Sequence, residues 1–469
     1  MKNKILFSLI LLMGMSAVFA FPVPETAREK IKGKDLEFTS KAFFHAVTFE
    51  RHDDIRWFVQ AGMDPDKVAD ENGRYAIHIA NGTRIDTMRL LLSLGADPNI
   101  KNKNGNTAMH GVGISNSPKL LSLLLKSGAD INATNKRGET ALHIVATRGH
   151  VNMLEKMLVS GANINAVNNQ GRTPLMVAIE SGRHEMLPIM IKSGADINFK
   201  SNLDRAKNFT PLILAIRRYE LDVIKLLFKS GVNVNGASAS GFTPLMIAIL
   251  EGKADILAQL LKQGADVSDM GGRKKTALQM CIYRLQYQLC DLLIKAGAGQ
   301  NIPDKQAAMM LYDAVRSSDS FKLHYVLKYG LSANVGKTLR ERPLVMAVMN
   351  EDFDSVRLLL KYGADINWQD PVSGRSLGFI LGQTQLTTKK MLDMMLSNNL
   401  NLNVIDKTGH TPLMFAAAYG NLDTVNAMIK SGIDVNAESQ LGDNALMWAK
   451  RAGRILNENA LLKPDDSRR

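Results

Sequence analysis

Residues 138–165 read GETALHIVATRGHVNMLEKMLVSGANIN. The stretch predicts a helix, a tight turn and a second helix. Thr140 suits the first helix start, because a threonine hydroxyl can satisfy an amide that has no partner inside the helix. Leu142, Val145 and Ala146 then recur at the three-to-four spacing of one helical face. Gly149 ends that helix, since a reversing chain needs a residue tolerant of positive φ. Val151, Leu154, Met157 and Leu158 form the stripe of the second helix, which stops at Gly161. Neither helix is long enough to be stable alone. Together they expose apolar surface on both sides, so the unit requires neighbours of its own kind.

The chain supplies them. The next copy begins at Gly171, and Thr140 is followed at a distance of 33 by Thr173. Thr243 and Thr276 are again 33 apart, and Thr210 and Thr411 hold the same place in their copies. Thr173-Pro174-Leu175, Thr210-Pro211-Leu212, Thr243-Pro244-Leu245 and Thr411-Pro412-Leu413 repeat one signature; Thr140-Ala141-Leu142-His143 repeats it with one change. Period and signature resemble the ankyrin-repeat family, whose repeat is about 33 residues with a T-P-L-H-x-A core. The resemblance covers nearly everything from about residue 40 onward. It implies an all-α fold: an elongated, curved solenoid of about thirteen helix-turn-helix units with atypical capping units at both ends. At about 10 Å per helix layer, such an array is on the order of 100 Å long.

Around that array the sequence divides simply. Residues 1–20 carry lysines at 2 and 4, an apolar run from Ile5 to Met13 and small residues at Val18-Phe19-Ala20, the pattern of a secretory signal peptide. The apolar run is shorter than the roughly 20 residues of a membrane span, and no second run follows. Residues 21–38 read as an exposed leader, 39–455 as a single solenoid and 456–469 as a frayed tail. Removing the signal lowers the formal charge from +13 to +11, which bears on partners and solubility rather than on fold. Four extra residues fall within Phe199–Asn208, on the loop after a second helix. The unit Arg375–Asn403 is the poorest: Gly378 and Gly382 fall in its first helix, each costing about 1 kcal/mol relative to alanine. Leu377 and Leu413 stand 36 rather than 33 apart. A hinge is expected there.

The sequence carries no glycine-rich phosphate loop, no H-E-x-x-H and no paired-cysteine metal motif. No enzyme and no cofactor is therefore expected. Of the nine histidines, His78, His110 and His143 take the fourth place of the signature, and the resemblance implies a packing and hydrogen-bonding role for them. Acids in the G-A-D turns satisfy local amides. Sequons at Asn81, Asn132 and Asn208 matter only in a cell with an endoplasmic reticulum. Cys281 and Cys290, the only cysteines, replace a framework alanine and a core aliphatic. An oxidising compartment permits a bridge, but buried free thiols are the expectation, because contact between helices does not secure the Cα spacing of about 5.5 Å that a bridge needs.

In ankyrin-like arrays the concave side is built from finger loops and first-helix ends. Those ends carry Arg148, Arg217, Arg218, Tyr283, Arg284, Arg316 and Tyr419, an arginine-led strip interrupted by Glu180 and Glu251. The finger loops carry Arg137, Arg172, Phe242, Arg273 and His410. Guanidinium groups fork onto carboxylates and stack on rings, which suits a desolvated contact. The function expected is a non-catalytic, exported, monomeric scaffold whose partner is a protein with an acidic face. A polyanion or envelope-surface binder and a host-directed secreted protein are the alternatives; nucleic acid does not suit an exported chain.

Overall fold

The computed structural model describes residues 25–34, 36–200, 209–271, 275–298, 304–383 and 389–462. Residues 1–20, residues 201–208 of the inserted loop, Arg273 and residues 463–469 of the tail lie outside them. Among the described residues the regular structure is helical, and the one bridge of extended chain joins Ala69 to Tyr75. The chain folds as two compact units: the first holds the described residues up to Glu251 together with Lys262–Ala265 and Gly271, the second the other described residues from Gly252 onward.

In the first unit the quoted stretch forms helices Ala141–Arg148 and Val151–Val159, with Gly149 at φ 81° between them. Leu142, Val145, Ala146, Leu154 and Met157 are buried, while Val151 and Leu158 of the expected stripe are half-buried. The T-P-L copies start their first helices alike. Proline takes the first position, where no amide is needed, and the threonine hydroxyl accepts the third amide, at 3.3 Å for both Thr210 and Thr243. The residues read as an exposed leader are a correction. They hold the helix Glu25–Gly33, whose Ala27 and Ile31 are buried. Lys34 reaches the buried carboxylate of Asp54 at 2.9 Å.

The signature histidines bind one repeat to the next. His143 Nδ1 accepts the Thr140 amide at 3.1 Å, and Nε2 donates to the Arg172 carbonyl, also at 3.1 Å, in the following repeat. His110 makes the same bridge between Thr107 and Glu139. Burial holds the pKa of His78, His110 and His143 below the usual imidazole value, so the native state carries them neutral. A depressed folded pKa means that the unfolded chain takes up the proton first. The stability these groups contribute is complete above about pH 6.5 and is lost as pH falls from there toward their folded pKa. Thermal melting of the chain should drop between pH 7.5 and 5.5, and by less in His143→Gln, which has no proton to gain. An equal drop in both would remove His143 from the acid response.

The asparagines closing turn segments after second helices do more than local work. Asp196 Oδ1 accepts the Asn198 amide at 2.9 Å, the expected turn. Asn165, however, reaches into the next repeat: Oδ1 accepts the Asp196 amide at 2.8 Å and Nδ2 donates to the Gly194 carbonyl at 3.0 Å. In the second unit Asn334 does the same with Asp365 and Gly363, both at 2.8 Å.

The second unit alters two expectations and gives the Arg375–Asn403 glycines a packing role. Cys281 and Cys290 are joined as a disulfide, with Cα atoms 5.7 Å apart. The free-thiol reading fails because the two helices of a pair converge beside their short turn, which brings the positions within bridging range. The helix Ile455–Leu462 occupies half of the stretch read as a frayed tail, with Leu461 buried and Asn457 Nδ2 donating to the Ala417 carbonyl at 3.1 Å. In the preceding copy Ala417 and Val425 are buried; one period later stand Lys450 and Glu458, 3.9 Å apart. Finally, Gly378 and Gly382 are buried within the helix Leu377–Gln383. A Cβ on Gly382 would lie 2.7 Å from the Pro412 carbonyl oxygen and 3.0 Å from the Ala416 amide nitrogen. The glycines let the next first helix approach, while residues 384–388, where the three-residue excess of this unit falls, lie outside the described residues.

Candidate functional site

The helix-end residues fall where the 33-residue count puts them. Arg148, Arg217 with Arg218, Tyr283, Arg316 and Tyr419 lie at the ends of first helices, and Arg284 is a C-cap. The finger residues are more divided. Arg137 is exposed, with Nε 3.1 Å from Glu139 Oε2, and its amide closes the turn on Asn135 Oδ1 at 2.8 Å. Phe242 is half-buried, its amide donating to Ser238 Oγ at 3.0 Å. Arg273 lies outside the described residues.

Two finger residues fold back against their own chain. The Arg172 side chain is only 11 % exposed, and its Nε lies 2.9 Å from Glu180 Oε1. Its Nη1 is buried and has no hydrogen-bond partner among the described residues. His410 donates its amide to Asp406 Oδ1 at 3.0 Å, and its ring meets that of Trp448 at 4.9 Å. Both lie immediately before a framework threonine, where the side chain turns back toward the first helix.

That geometry joins the finger-loop and helix-end sets in the first unit. Phe209, also just before its threonine, lies under the Arg217 guanidinium at 4.7 Å, with Arg172 at 5.9 Å. Arg217 Nε stands 3.6 Å from Glu251 Oε1, and Arg218 Nε stands 3.6 Å from Glu220 Oε1. These are loose ion pairs at exposed or half-exposed groups, worth less than about 1 kcal/mol each. The strip is thus an alternation of arginine, ring and glutamate, with much of its positive charge met inside the chain. Arg148 and Arg316 are exposed at their helix ends.

The second unit builds its version around rings. Tyr283, 41 % exposed, has Lys275 Nζ at 4.4 Å and Lys322 Nζ at 4.8 Å from its ring centre. Farther along, Arg375 lies over Phe415 at 4.6 Å and pairs with Asp406 at 3.1 Å; Phe415 meets Trp448 at 5.1 Å, and Tyr419 stands exposed beside them. Sequence reasoning missed Phe209, Lys275 and Trp448. The first two were within reach: each directly precedes a framework threonine, the place already marked by Arg172, Phe242 and His410. Trp448 lies within the capping unit, at a place in the repeat that neither the helix-end nor the finger-loop count included.

Among the described residues no group of three or more metal-ligating side chains gathers at one place, and no helix is long and apolar enough to cross a membrane.

A family model described as "Ankyrin repeats (3 copies)" matches residues 43–135, 110–201, 199–271 and 385–466, and one described as "Ankyrin repeat" matches 341–371. No curated protein matches the chain. Among solved structures, the ankyrin repeat domain of Bcl-3, titled a unique member of the IkappaB protein family, is 28 % identical. That match covers 48 % of this chain and 100 % of the Bcl-3 chain, with a TM-score of 0.43.

Proposed function

Because the chain belongs to the ankyrin repeat family, we propose that it is an exported, non-catalytic scaffold that holds a protein partner across its finger loops and first-helix ends. Ankyrin repeats are in general protein–protein interaction scaffolds, and the fold is typically non-catalytic. The observation that carries the finer reading is the Phe209–Arg217 contact, where a finger-loop ring and a helix-end guanidinium group meet on one surface. Arginine and aromatic side chains held in place by their neighbours lose little entropy on contact, which is what an interface centre needs. The glutamates among them argue against a polyanion, since they oppose a second dense array of negative charge. They suit a protein face whose carboxylates and rings exchange with Glu180 and Glu251.

Export is supported by the basic, apolar and small-residue order of residues 1–20. The Cys281–Cys290 bridge supports it too, since disulfides persist in oxidising compartments.

Replacing Arg217 and Arg218 by alanine should leave melting nearly unchanged, because their ion pairs are exposed. The same change should weaken partner capture from the envelope fraction about tenfold or more, equivalent to about 1.4 kcal/mol. Undiminished capture by the folded double mutant would refute this surface as the contact. Capture abolished by moderate salt in the wild type would favour the polyanion alternative.

A further inference from the structure

The Thr276 unit differs from its neighbours in the bridge beside its turn. Leu285 takes φ 58° there, at the place held by Gly149, Gly182 and Gly252 in three copies and by Asn116, Tyr219, Ser318 and Glu351, also at positive φ, in others. A leucine in the left-handed region is held there only by surroundings that over-determine it. The same unit replaces two buried framework aliphatics with the bridged cysteines. Cys281 stands where other copies have Ala178, Ala215 or Ala248, and Cys290 where they have Leu154, Leu187, Ile224, Leu257 or Val425. The bridge joins the first helix Ala277–Tyr283 to the second helix Tyr287–Lys295. Within the loop it closes lie Tyr283, Arg284 and Leu285, and the Gln286 amide donates to the Cys281 carbonyl itself at 3.0 Å.

We propose that the Cys281–Cys290 disulfide is a redox lock on this turn: oxidised, it holds Leu285 in its strained conformation and Tyr283 and Arg284 in the contact surface; reduced, it releases them. The gating of binding rests on the preceding reading of Tyr283 and Arg284 as contact residues. A dithiol is the reductant. One of its thiolates attacks a bridge sulfur to give a mixed disulfide, and its second thiolate displaces the protein thiol. The chain gains two thiols, and the reductant leaves as a cyclic disulfide, having given up two electrons and two protons. Both cysteines are fully buried, so attack waits on local opening. The bridge must therefore form before the unit closes, and the closed unit shields it afterwards.

The test uses the mature chain and the variant Cys281→Ala/Cys290→Val, which restores residue types found at these places in other copies. Hydrogen exchange is read at the Arg284, Leu285 and Gln286 amides, with the Gly149 turn as internal reference. Exchange in the variant, and in wild type after incubation with dithiothreitol, should be at least tenfold faster at these amides and unchanged at Gly149. Equal exchange in oxidised wild type and variant would overturn the lock. Faster exchange with undiminished partner capture would uphold the lock and refute Tyr283 and Arg284 as contacts. Faster exchange with weakened capture supports both.

Discussion

His143→Ala should cost the chain about 3 kcal/mol. The substitution leaves the Thr140 amide and the Arg172 carbonyl without their buried partner, and each such group costs about 1–3 kcal/mol. It also opens a void where the ring packed, at a residue only 2 % exposed. The damage crosses a repeat boundary, so the effect should spread into the Thr173 unit. In a solenoid each repeat is held by its neighbours, and a broken link lowers cooperativity locally as well as total stability. His143→Gln is the control. Gln279 already shows an amide in this place accepting the Thr276 amide at 2.9 Å, so glutamine keeps the cap and loses only the reach to the next repeat. Its cost should be about 1 kcal/mol. Urea denaturation with hydrogen exchange at Ala141–Arg148 and Pro174–Glu180 measures both. A loss below about 1 kcal/mol for alanine would show that the bridge across repeats is dispensable.

Gly382→Ala should be destabilising by about 2 kcal/mol, opposite in sign to the usual effect. In a helix interior, alanine for glycine ordinarily gains up to about 1 kcal/mol. Here the added carbon meets the Pro412 carbonyl oxygen at 2.7 Å and the Ala416 amide nitrogen at 3.0 Å. Both are backbone atoms and cannot turn aside, so the helix Pro412–Tyr419 must shift, and overpacking of this kind typically costs about 1–3 kcal/mol. Gly378→Ala should be milder, because its nearest contacts are the side chains of Leu402, at 3.0 Å, and Pro412, at 3.2 Å. Denaturation of the two variants beside wild type gives the signs directly. Stabilisation by Gly382→Ala would support the hinge that the glycines of this unit suggest in the sequence.

These two residues mark how far sequence reading reached. The 33-residue recurrence of threonine, proline and turn glycine determined the helix pairs, their caps and the buried stripes, because those features depend on interactions within three or four residues. Periodicity also placed Arg217, Tyr283 and Tyr419 at first-helix ends, since position within a repeat follows from counting. Links between repeats were decided only in three dimensions. His143 and Asn165 bond to atoms about 30 positions away, and Gly382 faces a backbone 30 positions on. Nothing local tells a glycine that loosens a helix from one that admits its neighbour. The Cys281–Cys290 pairing turned on a Cα spacing that helix packing alone leaves open. The arginine strip was legible as a list of positions but not as a surface. Whether Arg172 points to solvent or folds back onto Glu180, and whether Arg217 finds Phe209 beneath it, depends on how the finger loop leans on the helix that follows. That lean is a property of packing between elements, and no window of sequence contains it.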